Sequence, residues 1–363
     1  MTAPAADLAA ALVAIPSVNP DLVEGGHGEE AVAMFAAEWL RASGLQVRVT
    51  WPAPGRPNVV GVRRGSGGGR SLLLVGHTDT VGADGMADPF GGAVGEGRLH
   101  GRGAYDMKSG LAAAMAAAAA VDGLAGDVVV AGVCDEEAGG LGIRALLDAG
   151  ITADAAIVTE PTDLAVGLGH KGYAGFRIET SGRAAHGSMG GPEDDAIVKM
   201  AGVLAELARL DAELRAGPRH PLLGTGTVHA SRIAGGQEAS SYPARCVLHG
   251  EWRTVPGDDP QRVLEDRVAR GQPEARLTIE YEGDPLVTAA EAPVAALLRE
   301  CAGTATAAMP YWADSALLAA AGIPTVLFGP AGGGAHAIDE WVDVASIERV
   351  RDVLVEVASR FCR

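Results

Sequence analysis

The 363 residues exceed the ~100–200 of one ordinary core, so two domains are expected, and 48% apolar against 21% charged residues argues against long disordered stretches. A formal charge of −17 argues against nucleic acid or an anionic membrane as partner, since either would repel this surface at long range. Cys134, Cys246, Cys301 and Cys362 show no paired spacing, and no run approaches ~20 continuous apolar residues, so a cytoplasmic protein with reduced, mostly buried thiols is expected.

In chain order, residues 29–40 place Val32, Phe35, Ala36 and Leu40 at helical spacing, and Ser43-Gly44 supplies a stop. Four short, apolar runs follow at 71–75, 128–133, 155–158 and 325–328. Each is bounded by turn residues, as expected of strands buried on both faces of a parallel sheet. Helical patterns at 107–121 and 141–147 lie between them, which gives an α/β order. Residues 173–180 alternate instead, 196–210 read as helix, 226–233 and 246–253 as strands, and 261–270 as a second helix. That stretch reads as a small α+β insert at about 169–283 within a larger domain formed by 1–168 and 284–363. A helix at 293–301 returns the chain to its last buried strand.

The ionisable residues gather at the carboxyl ends of those four runs, the edge where open α/β sheets build their sites. His77 and Asp79 follow the first run, Asp135, Glu136 and Glu137 the second, Glu160 the third, and His336 the fourth after a Gly-rich loop. Asp106 stands in the turn ahead of the 107–121 helix. So many carboxylates in one partly buried cleft need a counter-charge, and a pair of metal ions supplies it. Imidazole and carboxylate without thiolate suit Zn²⁺, with Co²⁺ or Mn²⁺ as alternatives.

Five segments carry a resemblance: Gly76-His77-Thr78-Asp79-Thr80-Val81, Gly101-Arg102-Gly103-Ala104-Tyr105-Asp106-Met107-Lys108, Cys134-Asp135-Glu136-Glu137-Ala138-Gly139-Gly140, Thr159-Glu160-Pro161-Thr162, and Gly329-Pro330 leading to Ala335-His336. In order, they resemble the signatures of the M20 metallopeptidase family, and within it the group of acetylornithine deacetylases and succinyl-diaminopimelate desuccinylases. The resemblance runs from Ile15-Pro16-Ser17 to the C-terminal helix.

It implies a zinc aminopeptidase-like catalytic domain with a mixed, largely parallel central sheet, plus a ferredoxin-like α+β lid and dimerisation domain. His77, Asp106 and Glu160 would hold one cation and Asp106, Glu137 and His336 the other, with Asp106 bridging. Asp79 would accept the His77 imidazole N–H. Glu136 would be the general base that activates a metal-bridging water and passes the proton to the leaving amine. If the Asp135–Glu137 segment is extended, successive side chains point oppositely, Glu137 to a cation and Glu136 to the substrate. The resemblance also implies a cis peptide between Asp106 and Met107.

In the insert, Ser181-Gly182-Arg183-Ala184-Ala185-His186 and Gly235-Gly236 through Arg253 resemble the lid signatures. His186 would stabilise the oxyanion, from the partner subunit of a homodimer, and Arg253 would grip a substrate carboxylate. Ser240 stands where relatives usually carry Asn, and Trp312-Ala313-Asp314-Ser315 replaces their Gly-Thr-Asp/Glu-Ala; both segments line the pocket in relatives. The activity implied is hydrolysis of an N-acyl amino acid, of acetyl or succinyl type. A carboxypeptidase or dipeptidase on a short peptide is the alternative, and a non-catalytic binding protein is disfavoured by the presence of Glu136.

Overall fold

The computed structural model describes residues 4–363, which divide into two units. The first comprises the chain up to Leu168, Thr288–Met309 and Ala313–Arg363; the second comprises Gly169–Val287 and Pro310–Trp312.

The sheet of the first unit is built from β1 (Gln46–Ala53), β2 (Arg56–Arg63), β3 (Leu72–His77), β4 (Val128–Val133), β5 (Ala155–Val158) and β6 (Val166–His170), whose last residues lead into the second unit. Two later strands, Thr306–Met309 and Thr325–Leu327, join it. The order is β1-β2-β4-β3-β5, then Thr325–Leu327, then β6. β4, β3, β5 and Thr325–Leu327 are mutually parallel and every residue in them is buried, except that β2 and β6 flank them antiparallel. Both faces of these strands are covered, which explains runs of Val, Leu and Ile without alternation.

The covering helix Ser109–Ala120 is buried from Ser109 through Ala118 and packs against Ala5–Val13 and Val344–Phe361. Eight of its twelve residues are alanine, so its axis can lie close to the sheet. At its first turn Gly110 has no room for a side chain, because a Cβ there would lie 1.8 Å from the Thr159 oxygen. The helix starts at Ser109 rather than at 107, because Asp106 and Met107 depart from helical φ/ψ within a tight turn, Ala104–Lys108. The peptide between them is cis. The hairpin β1–β2 has no counterpart in the sequence reading; its outer strand mixes polar and apolar residues without a clean period. All four cysteines are free and buried, and no helix among the described residues is long and apolar enough to cross a membrane.

In the second unit, β7 (Gly172–Ser181), β8 (Thr227–Gly235), β9 (Arg245–Thr254) and β10 (Arg276–Gly283) form an antiparallel sheet in the order β8-β9-β7-β10. Helices Ala196–Ala216 and Pro260–Gly271 cover one face, burying Phe176, Ile178, Val203, Leu248, Trp252 and Leu264. Asp195 caps the first by accepting from the Ile197 and Val198 N–H groups, and Asp259 caps the second with proline at its first position. Pro310–Trp312 joins this unit through Trp312, whose ring meets His170 and Tyr173 edge-on and whose Nε1 donates to the Asp284 oxygen.

Candidate metal centre

All five sequence-predicted ligands lie in the first unit, where they meet. His77 ends β3 and is 1% exposed. Its Nδ1 lies 2.9 Å from the main-chain oxygen of Asp79, so that nitrogen carries the proton and Nε2 is left free as a ligand atom. The Asp79 carboxylate is farther away, 3.5 Å from Nδ1. The imidazole N–H thus faces both the carbonyl and the carboxylate of Asp79, and the carboxylate has a further task. It accepts the main-chain N–H groups of Glu136 at 3.1 Å and Glu137 at 3.2 Å, and the Asn19 amide at 2.8 Å.

Glu136 and Glu137 do diverge, though not along an extended segment. Asp135 has a left-handed φ of 67° and the next four residues form a turn, so the turn separates the two carboxylates. Asp135 is held in that conformation by Arg56 and Asn19 on Oδ1 and the Leu141 N–H on Oδ2. Arg56 is itself paired with the fully buried Glu29.

Asp106 presents one oxygen to each side. Oδ1 is 3.2 Å from His77 Nε2, and Oδ2 is 3.2 Å from His336 Nε2. Glu160 Oε1 is 3.7 Å from His77 Nε2, and Glu137 Oε2 is 3.1 Å from His336 Nε2. His77, Asp106 and Glu160 thus form one set, and Asp106, Glu137 and His336 another, with the ligand atoms of each within 4.8 Å of one another. Glu136 belongs to neither set; its Oε2 is 4.0 Å from His77 Nε2.

The electrostatics call for cations. Burial drives the pKa values of Glu136, Glu137 and Glu160 upward. Burial opposes charge on His77 too, but Glu160, Asp106, Asp79 and Glu136 outweigh it and raise the imidazole well above its usual range. Hydrogen bonds to Asp106 and Glu137 raise His336 to about 10. Burial would raise Asp106, yet His336 and His77 hold it below the usual carboxylate range. The carboxylates therefore demand positive charge between them, which a divalent ion supplies in place of protons. Glu137 Oε1 is buried without a hydrogen-bond partner, as a ligand oxygen would be. A nitrogen and oxygen donor set with no thiolate fits divalent cations.

Asp314 lies in the Trp312-Ala313-Asp314-Ser315 segment, to which the sequence assigns no metal or catalytic role. It is 1% exposed, neither oxygen has a hydrogen-bond partner, and burial lifts its pKa to about 7. It joins neither ligand set.

The remaining candidates belong to the second unit. His186 is exposed, with Nδ1 2.9 Å from Ser188 Oγ. Arg253 Nε donates to Glu251 at 2.7 Å, and its guanidinium carbon stands 5.8 Å from the centre of the Tyr173 ring. Ser240 is exposed, and its main-chain oxygen accepts from the Gly187 N–H.

Two ligand sets sharing one aspartate at the carboxyl ends of parallel strands, with a spare carboxylate beside them, define a metal-dependent hydrolase. The chain belongs to Peptidase family M20/M25/M40, whose sequence pattern matches residues 73–360. It is 32% identical to an acetylornithine deacetylase of Myxococcus xanthus, over 95% of this chain and 93% of that one, and 30% identical to an acetylornithine deacetylase of Proteus mirabilis, over 97% and 95%. Among solved structures, an M20 family metallo-carboxypeptidase of Sulfolobus solfataricus superposes with a TM-score of 0.79 over 99% of both chains at 17% identity. A dinuclear metal-binding peptidase of the M20 family from Bacillus subtilis gives 0.75 over 99% of this chain and 97% of that one, at 16% identity. The chain is a metal-dependent hydrolase of amide bonds.

Proposed function

We propose that this chain hydrolyses an N-acyl amino acid, of acetyl or succinyl type, to a carboxylate and a free amine. One observation carries the reading: Glu136, its side chain 11% exposed, stands beside two cation-shaped ligand sets and belongs to neither. The full-length similarity to proteins named acetylornithine deacetylase favours an acyl amino acid over a peptide.

In this reading His77, Asp106 and Glu160 hold one ion and Asp106, Glu137 and His336 the other, with Zn²⁺ preferred and Co²⁺ or Mn²⁺ able to substitute. The ions, when bound, polarise the scissile carbonyl and acidify water. Glu136 takes the proton of the attacking water at its free oxygen and delivers it to the leaving nitrogen; burial, by raising its pKa, suits it to hold that proton between the two transfers. Asp79 keeps Glu136 and Glu137 apart by anchoring both of their N–H groups.

The second unit serves as lid and dimerisation domain. His186 of a partner subunit donates to the oxyanion, Arg253 grips the substrate carboxylate, and Ser240 lines the acyl pocket. Support for the homodimer comes from β8, an edge strand exposed along most of its length with Ile233 half exposed, and from Ile197 and Val198 on the neighbouring helix. Four free buried cysteines support a cytoplasmic location.

The test is a substrate panel with the cation-reconstituted protein, scoring amine release from N-acetyl and N-succinyl amino acids against dipeptides. Faster release from the acyl amino acids is expected. Preferred cleavage of dipeptides would move the chain to the peptidases, and no cleavage of either would end the reading.

A further inference from the structure

The two ligand sets are not held together in the same way. His77 ends β3 and Glu160 follows β5; these strands are hydrogen-bonded neighbours, so the sheet itself fixes their separation. His336 stands outside that sheet. It lies nine residues beyond Leu327 in a loop, with a left-handed φ of 63°, and its side chain is 54% exposed. Its Nε2 pairs with Asp106 and Glu137, which are ligands themselves. Gly332–Gly333 and Trp341–Asp343 pair on either side of this loop, and Trp341–Asp343 pairs with Arg98–His100, so a short sheet brings the loop beside the Asp106 segment; within the loop, a side-chain contact sets where the His336 backbone stands.

A buried ion pair joins the two backbones across more than two hundred residues of sequence. Arg102 Nη1 donates to Glu340 Oε2 at 2.6 Å, and the two side chains are 3% and 0% exposed. Glu340 Oε1 accepts the Tyr105 N–H at 2.8 Å and the Asp106 N–H at 3.0 Å, and Oε2 also accepts the Gly103 N–H at 3.2 Å. On the other side, Arg102 Nη2 donates to the Ala337 oxygen at 3.1 Å and approaches that of His336 at 3.5 Å, while Nε donates to the Gly82 oxygen at 2.9 Å. The carboxylate therefore holds the Asp106 turn, the guanidinium holds the His336 loop, and their mutual bond sets the spacing.

A pair serving stability alone would be a poor choice, because removing two charges from water costs several kcal/mol and an apolar pair of similar volume does as well. What an apolar pair cannot do is satisfy three N–H groups on one segment and carbonyls on two others. We propose that Arg102 and Glu340 are positioning residues for the second cation site, holding His336 opposite Asp106 so that Asp106, Glu137 and His336 converge. This rests on the ligand sets proposed above. Arg102 acts on this site selectively, since the His77 and Glu160 side is fixed by the sheet.

The test is a titration of the metal-free chain with Zn²⁺ in competition with a chromophoric chelator. The wild type should take two tight equivalents; fewer would refute the ligand sets and not the positioning argument. Arg102→Lys keeps a charge against Glu340, but one ammonium cannot reach Glu340, Gly82 and Ala337 together. It should retain the first equivalent and weaken the second about 10–100-fold, the range for residues that orient ligands. Glu340→Gln should weaken the second equivalent as well. In a His336→Ala background, adding Arg102→Lys should cost nothing further, because both act through one group. Melting of the metal-free chain separates this from loss of fold: Arg102→Lys should shift the midpoint by only a few degrees. Two unaltered equivalents, equal weakening of both, or collapse of the metal-free fold in both single variants would overturn the proposal.

Discussion

In the first unit every ligand candidate faces another. His77, Asp106 and Glu160 lie within ligand distance of one another, Asp106, Glu137 and His336 do the same, and of these His336 alone is exposed. In the second unit His186, Arg253 and Ser240 are each engaged locally, with Ser188, with Glu251 and with the Gly187 N–H. The contrast follows from charge. A cluster of buried acids is tolerable only if its counter-charges are built in, so its geometry must be complete within one folded unit. An exposed imidazole or guanidinium carries no such cost and can wait for substrate or a second subunit. The centre is therefore prearranged, whereas the residues proposed for recognition are held loosely.

The sharpest way to break this contrast is Glu136→Gln. Turnover should fall by about 10²–10⁴-fold while cation content is retained, since a general base and no ligand is lost. Glu137→Ala should instead lose cation, and metal analysis with the reverse pattern would exchange the two roles. Next in size, His186→Ala should lower kcat by about 10²–10³-fold if its N–H meets the oxyanion. Mixing it with Glu136→Gln under subunit exchange should restore a fraction of activity, because a mixed dimer has one site with both groups intact. No recovery despite proven exchange would confine His186 to its own subunit. Arg253→Ala should reduce kcat/KM by roughly 2–4 kcal/mol, as expected for loss of a charge-assisted contact. Unchanged kinetics would leave Arg253 as the partner of Glu251 alone.

Two smaller effects sharpen the comparison. With its pKa raised to about 10, His336 carries a proton at pH 7 in the metal-free chain, and cation binding must displace it. Loading should release at least that proton, and affinity should weaken as pH falls below about 10; calorimetry in buffers of different ionisation enthalpy measures both. For the metal-free fold the sign runs the other way: the raised pKa contributes stability that is present below the unfolded value near ~6.5 and fades as pH rises through about 10. Last, Asp195→Ala removes a helix cap in the second unit and should cost about 1 kcal/mol of stability without altering cation affinity. A change in affinity would show that the centre is not independent of that unit.

The ligands were legible because each sits in a short motif, and His77, Glu137 and Glu160 do so at the ends of unmistakably buried strands. His77, Glu160 and the Asp135–Glu137 run could be placed on one sheet edge from hydrophobic pattern alone. Their supports could not. Arg56 with Glu29, Arg102 with Glu340, and the unpartnered Asp314 are charged residues in the interior, and periodicity assigns charge to the surface. Their partners lie far away in sequence, so no local spacing betrays them. How two adjacent glutamates part depends on the left-handed Asp135, which no hydrophobic period announces.

The helix Ser109–Ala120 also bears on how freely this sequence can drift. With methyl groups on nearly every side and buried through Ala118, it works as a shim whose thickness sets the gap between neighbouring helices and the sheet. An added methylene there has no solvent-facing rotamer to escape into and must displace Ala5–Val13, Val344–Phe361 or the strands. The thinnest point is Gly110, against the Thr159 oxygen, one residue before Glu160. In a saturation scan the segment poorest in functional groups should thus be among the least permissive, with intolerance rising toward the end nearest the ligands.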